Sequence, residues 1–191
     1  CFALPEVATA QKFVVGYSGV TAIQAPFWVI KDAGFFKQEG LDANLIYIAA
    51  SSTMAQAMLA GEVAISTANS QAVVDTGLHG GDLVAVGAIV NFVALYVIAA
   101  PEIKSVQDLR GKPVGVTRFG ATTDFAMQMF LKKYGLEPVR DVPIIQIGGL
   151  PELAAALSKK SIYAAAMSYP MGLVAQQAGM KMLAKLAKEE I

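Results

Sequence analysis

The sequence repeats itself. "KPVGVTRFG" answers "KFVVGYSGV", "YGLEPVRDVPIIQIGG" answers "EGLDANLIYIAAS", and "LSKKSIYAAAM" answers "LAGEVAISTAN". The offset is constant: Gly16 to Gly115, Ile48 to Ile147 and Val63 to Ile162 are each 99 positions apart (115 − 16 = 99). A period this long is not a solenoid unit; it reads as the duplication of a domain-sized piece. The 191 residues therefore divide into two small units, and an apolar content of 55% supplies a core and excludes disorder as the main state.

Within the first unit, residues 13–17 read as a strand, about 25–38 as a helix ended by "EGL", and 43–48 as a second strand. A helix at 53–60 stops at Gly61, a short strand covers 63–66, and a third helix begins near Asn69. The order βαβαβα with short connections implies a parallel sheet with helices on both faces. The expected fold is α/β: two similar lobes with parallel-rich sheets flanked by helices. The first lobe spans residues 11–91, a crossover or hinge 92–100, and the second lobe 101–191.

The stretch "LVAVGAIVNFVALYVIAA" at 83–100 is nearly long enough to span a bilayer. It is rich in Val and Ile, carries Gly87 and Asn91 inside, and lacks aromatic or basic anchors, so it reads instead as two consecutive buried strands broken at Asn91.

Fifteen basic and fifteen acidic side chains balance, with no basic run before the scattered Lys181, Lys185 and Lys188, so a nucleic-acid footprint is missing. One Cys, at position 1, and one His, at position 79, assemble neither a disulfide framework nor a zinc site. No metal and no cofactor is expected. His79 sits in "TGLHGGD", a Gly-rich turn after a helix, and reads as a C-terminal cap in preference to a catalytic group. Residues 1–10, "CFALPEVATA", end in a small-x-small pattern and read as a signal-peptide remnant or linker, with a mature start at Gln11. Two rivals stay open, a lipid anchor on Cys1 and cloning residue.

In open parallel sheets ligands sit beyond the carboxyl ends of strands, where loops enter helix N-termini. The first lobe offers Ser18 and Gly19, then Ser51, Ser52 and Thr53, then Asn69 at these junctions. The second offers Arg118 with Thr122 and Thr123, a Gly148–Gly149 pair, and Ser168–Tyr169. Hydroxyls, amides and glycine backbones at helix starts bind anions. Ser, Thr and Asn are also ordinary N-caps, so any single junction is ambiguous, and it is their conjunction that points to a site. Arg118 suits bidentate binding of a carboxylate or sulfonate, or a surface ion pair. Phe27, Trp28, Phe92, Phe119 and Tyr169 are candidate walls for an organic ligand, with Phe119 foremost because it follows Arg118 in the turn; Asn91 is counted among the ligand-binding candidates.

"APFWVIKDAGFFKQEGLD", "AMLAGEVAIS", "VQDLRGKPVGVTRFGATTD", "LKKYGLEPVRDV" and "GGLPELAAALSKKSIYAAAMSYP" together resemble the periplasmic substrate-binding proteins of ABC transporters of the nitrate/sulfonate/taurine type, grouped with the thiamine-pyrimidine-precursor binders. The resemblance runs from Lys12 to the last helix. It implies a hinged, two-lobed, type II-like binding protein that closes on a small molecule and delivers it to a membrane permease. By motif, "TRFGATTD" matches the helix start lining the cleft, and "YSG", "AASST" and "ANS" match the opposite loops. Two departures stand out: Ala64 and Tyr163 occupy positions where the family usually has Asp. Family members also continue past the second lobe and return to the first, so a C-terminal return is expected to be missing here.

The expected function is capture of a small organic anion, a sulfonate, carboxylate or nitrate-like group, by a periplasmic or exported protein that is not an enzyme. A neutral heteroaromatic ligand is the alternative. A sensor domain, and a biosynthetic enzyme on the same fold, are the remaining readings; the pyrimidine-forming relatives use a Cys-rich motif and a His absent here.

Overall fold

A computed structural model describes residues 11–67 and 70–189. The leader-like segment 1–10 with Cys1, and Asn69, lie outside the described residues. The first lobe contains β1 (Gln11–Tyr17), α1 (Ala25–Asp32), α2 (Phe35–Gln38), β2 (Leu41–Tyr47), α3 (Ser51–Leu59), β3 (Ile65–Ser66) and α4 (Ser70–Leu78). Its three strands are parallel, in the order β2-β1-β3. The second lobe contains β4 (Tyr96–Ala99), β5 (Val114–Val116), α5 (Thr122–Lys133), β6 (Ile144–Gln146), α6 (Leu150–Ser158), β7 (Ala164–Met167), α7 (Met171–Gln177) and β8 (Lys181–Lys185). Its sheet runs β6-β5-β7-β4-β8, with β6, β5 and β7 parallel and β4 antiparallel to both neighbours. The expected α/β pair of lobes forms.

The repeated glycines have a packing reason. A Cβ on Gly16 would collide with Met54 of α3 and stand 3.1 Å from Val63. A Cβ on Gly115 would collide with Ile162 and stand 2.7 Å from Leu153 of α6. Met54 and Leu153 occupy the same place in the repeat, as do Val63 and Ile162. Both copies thus keep a glycine where a helix lies directly on the first strand.

Two expectations are corrected. The single helix at 25–38 is two, because Gly34 takes the left-handed conformation (φ 74°) and breaks it between Asp32 and Phe35. Of the two strands expected in 83–100, only β4 forms; Val84 and Val86 are 75% and 89% exposed, because no neighbouring strand is placed to pair with them. The basic stretch near the end is the edge strand β8. Among the described residues no helix is long and apolar enough to cross a membrane.

The core is concentrated in the second lobe. One cluster runs from Leu95 to Leu186 and includes Phe130, Leu153, Leu157, Ile162 and Met167, all fully buried. In the first lobe Val15, Met54 and Val63 are buried, whereas neither α1 nor α2 buries any residue. At the position that departs from Asp in the second lobe, the Tyr163 ring lies under the Lys112 ammonium, 5.2 Å from the ring centroid.

Candidate binding cleft

The two lobes meet at helix N-termini. Ser51 opens α3, and its hydroxyl lies 3.4 Å from the Thr122 hydroxyl that opens α5. The Thr122 backbone N–H also donates to Ser51 Oγ at 3.3 Å. Two helix starts, each a concentration of unpaired N–H groups and positive dipole, are therefore brought together by hydroxyl side chains. Ala50, the residue before α3, holds φ 71°, a conformation costly for a residue with a Cβ. Strain of this kind collects at binding sites.

The turn from Arg118 to Ala121 is held from both sides. Asp124, 4% exposed, accepts the Gly120 N–H at 2.8 Å and the Gln128 amide at 2.9 Å. The Phe119 N–H donates to Gln146 at 3.1 Å. Thr123 is buried, and its hydroxyl takes the Thr117 N–H at 3.0 Å and pairs with the Thr117 hydroxyl at 2.8 Å. It braces the end of β5 against α5. Arg118 and Phe119 are left exposed, and the Arg118 guanidinium has no hydrogen-bond or ion-pair partner among the described residues, while its carbonyl accepts the Ala121 N–H at 3.2 Å.

The first-lobe loops are knitted to one another. Ser18 donates to the Thr67 carbonyl at 3.5 Å, and Thr67 donates to Gln24 at 2.7 Å. Gly19 runs close to the Thr21 side chain, with a Cβ there standing 3.3 Å from it. Ser52 and Thr53 follow Ser51 in the first turn of α3, both half-buried. Phe27 is half-buried on α1; its neighbour Trp28 packs edge-on against Tyr17 at 5.7 Å. Tyr169 stacks on Tyr96 at 4.4 Å and donates to Gln176, contacts inside the second lobe. Asn91 and Phe92 are exposed in the 83–92 segment, and among the described residues neither hydrogen-bonds to Ser51 or Thr122. His79 lies outside this region and caps α4, with Nδ1 2.7 Å from the Asp75 carbonyl.

Tyr47 and Glu152 are missing from the sequence-derived set. Tyr47 is the register partner of Tyr17, with rings 5.6 Å apart. Its phenol pKa is pushed up by burial, then by the Glu152 charge, then by Tyr17. The signal that leads to Tyr47 is the parallel pairing of two strand ends, which becomes readable once register is known.

The NMT1/THI5-like family matches residues 22–190. The chain belongs to that family. A search of curated protein sequences finds no significant match. Solved structures similar to this NMT1/THI5-like chain include a protein of Bordetella bronchiseptica RB50, at 23% identity and TM-score 0.76, covering 91% of this chain and 56% of that one. The alkanesulfonate-binding protein SsuA from Xanthomonas axonopodis pv. citri, bound to MOPS, is 18% identical with TM-score 0.76, covering 95% and 63%. The periplasmic aliphatic sulphonate binding protein SsuA from Escherichia coli is 20% identical with TM-score 0.70, covering 90% and 56%. These likenesses establish the fold. The chain spans less than two thirds of the length of each.

Proposed function

We propose that this NMT1/THI5-like chain is the ligand-capturing portion of a substrate-binding component of an ABC importer, acting outside the cytoplasm and serving a membrane permease. Its ligand is a small organic anion, with a sulfonate fitting best and a carboxylate or nitrate-like group next. The observation that carries this reading is the meeting of two helix starts through Ser51 and Thr122. N–H groups and hydroxyls there suit an anion, with the unpaired Arg118 guanidinium on the flanking turn as its counter-charge. Hinge closure of the lobes would bury it. The sulfonate-binding names of two similar structures lend support.

A second reading, a neutral heteroaromatic ligand, is favoured by the Tyr17, Trp28 and Tyr47 rings. Titration of the purified chain with alkanesulfonates, nitrate, aromatic carboxylates and pyrimidines, followed by thermal shift, separates the two. A sulfonate at one hundred times its Kd should add about 2.7 kcal/mol of stability. Arg118→Ala should weaken binding by about tenfold or more. A response to pyrimidines alone, indifferent to Arg118→Ala, sinks the anion reading.

A further inference from the structure

The contact that joins the two helix starts is made by the chain's own groups. Ser51 Oγ stands 3.4 Å from the Thr122 hydroxyl and accepts the Thr122 N–H at 3.3 Å, so no other atom fits between the lobes at this point. Beside it, a Cβ on Gly120 would stand 4.0 Å from the Ser52 Cβ, which brings the 118–121 turn of the second lobe onto the first turn of α3. Ser51 is only 4% exposed.

Neither hydroxyl serves its own helix. Ser51 and Thr122 are the first residues of α3 and α5, behind Ala50 and Ala121, and neither helix start has a side-chain cap. A hydroxyl at a helix start ordinarily turns back onto the N–H groups of its own first turn. Here the neighbouring N–H groups stay within the second lobe, Gly120 donating to Asp124 at 2.8 Å and Ala121 to the Arg118 carbonyl at 3.2 Å, whereas that of Thr122 crosses to the first.

Charge works in the same direction. Residues 11–91 carry three basic and six acidic side chains, net −3, and residues 101–191 carry twelve and eight, net +4. A chain that is neutral as a whole is therefore a pair of oppositely charged lobes. Their attraction extends over ~30 Å at 0.01 M salt and over ~8 Å at physiological ionic strength.

We propose that Ser51 and Thr122 form a latch that holds the two lobes together before any ligand arrives, with the opposite lobe charges drawing them into range. The latch sets the resting balance between closed and open forms about the 92–100 hinge. Whatever enters the cleft must first displace the Ser51 hydroxyl from the start of α5. The latch does not depend on the anion reading, because its test contains no ligand.

Nitroxide labels on Gln38→Cys and Ser158→Cys, exposed and uncharged positions on opposite lobes, in a Cys1→Ser background, report the interlobe distance by double electron–electron resonance. At about 0.01 M salt the labelled parent should show mainly one short distance. Ser51→Ala and Thr122→Val should each lower the closed-to-open ratio about fivefold, with unchanged melting temperatures. Thr122→Ser, which keeps the hydroxyl, should match the parent. Ser66→Ala should match it too, because that hydroxyl donates to Met58 inside the first lobe. Raising the salt to about 0.5 M should lower the ratio in the parent. A parent already open at low salt overturns the latch, as do distances in Ser51→Ala and Thr122→Val equal to those of the parent. Opening by Ser51→Ala alone places the effect within α3 and overturns it as well, and equal opening by Ser66→Ala does so by showing general loosening of the first lobe. A ratio indifferent to salt overturns the part given to charge.

Discussion

The two lobes share one order of strands and helices, yet they bury very different amounts. In the second lobe β5 and β7 are buried along their whole length, within a continuous cluster that includes Phe130, Leu153 and Ile162. In the first lobe the sheet stops at the two-residue β3, and α1 and α2 touch it without burying a side chain. The duplicated pattern specifies elements in both places. What differs is closure: β4 and β8 extend the second sheet, whereas the apolar 83–92 segment adds no strand to the first. A strand-forming sequence needs a partner edge before its backbone can be satisfied.

The largest test of this contrast is truncation of equivalent core residues. Leu153→Ala leaves a cavity inside the full cluster and should cost about 2–5 kcal/mol, read by denaturant unfolding. Met54→Ala in the first lobe should cost less than its counterpart, because the surrounding side chains are less enclosed and can collapse. Equal losses would remove the energetic distinction between the lobes.

The repeated glycines sharpen the same comparison. Gly115→Ala drives a methyl into Ile162 and Leu153, both fully buried, and should cost about 1–3 kcal/mol. Gly16→Ala meets the thioether end of Met54, which is unbranched and can turn aside, so its cost should fall below that of Gly115→Ala. Melting temperatures of the two variants decide the order.

Hydrogen exchange should place the boundary. Amides of β4, β5 and β7 should exchange only through global opening, those of β1–β3 sooner, and those of 83–92 soonest. Protection of 83–92 comparable to β5 would contradict its lack of a sheet partner.

The smallest effect is acid sensitivity in the second lobe. The Asp141 carboxyl is held down to about 2 by the Arg140 guanidinium first and the Glu137 N–H next, with Arg110 3.1 Å away. A folded pKa below the unfolded value of 3.8 means that its contribution is complete above about pH 3.8 and is lost as the pH falls towards 2. Asp141→Asn should flatten the pH dependence of the melting temperature across that window.

The junctions of the candidate site were legible because the pattern marks where strands end and helices begin. Ser51 and Thr122 were readable as helix-start hydroxyls, and Arg118 as the cation of the same turn. Thr123 was readable as a hydroxyl, but not as one committed to Thr117, since i to i+6 bonding depends on how α5 seats on β5. Tyr169 was readable as an aromatic near a strand end, but not as the stacking partner of Tyr96, which lies on another strand. The seating of the Glu152 side chain over Gly148 and Gly149 was not legible, because it depends on how α6 meets the sheet.

The sequence by itself determined the duplication, the α/β alternation, and the glycines on which helices rest, because those follow from local periodicity and from volume at one position. Tertiary structure decided which apolar stretch became a strand and which hydroxyls meet across the lobes. These outcomes depend on partners distant in the chain, and neither propensity nor spacing encodes the edge, register or helix seating that supplies them.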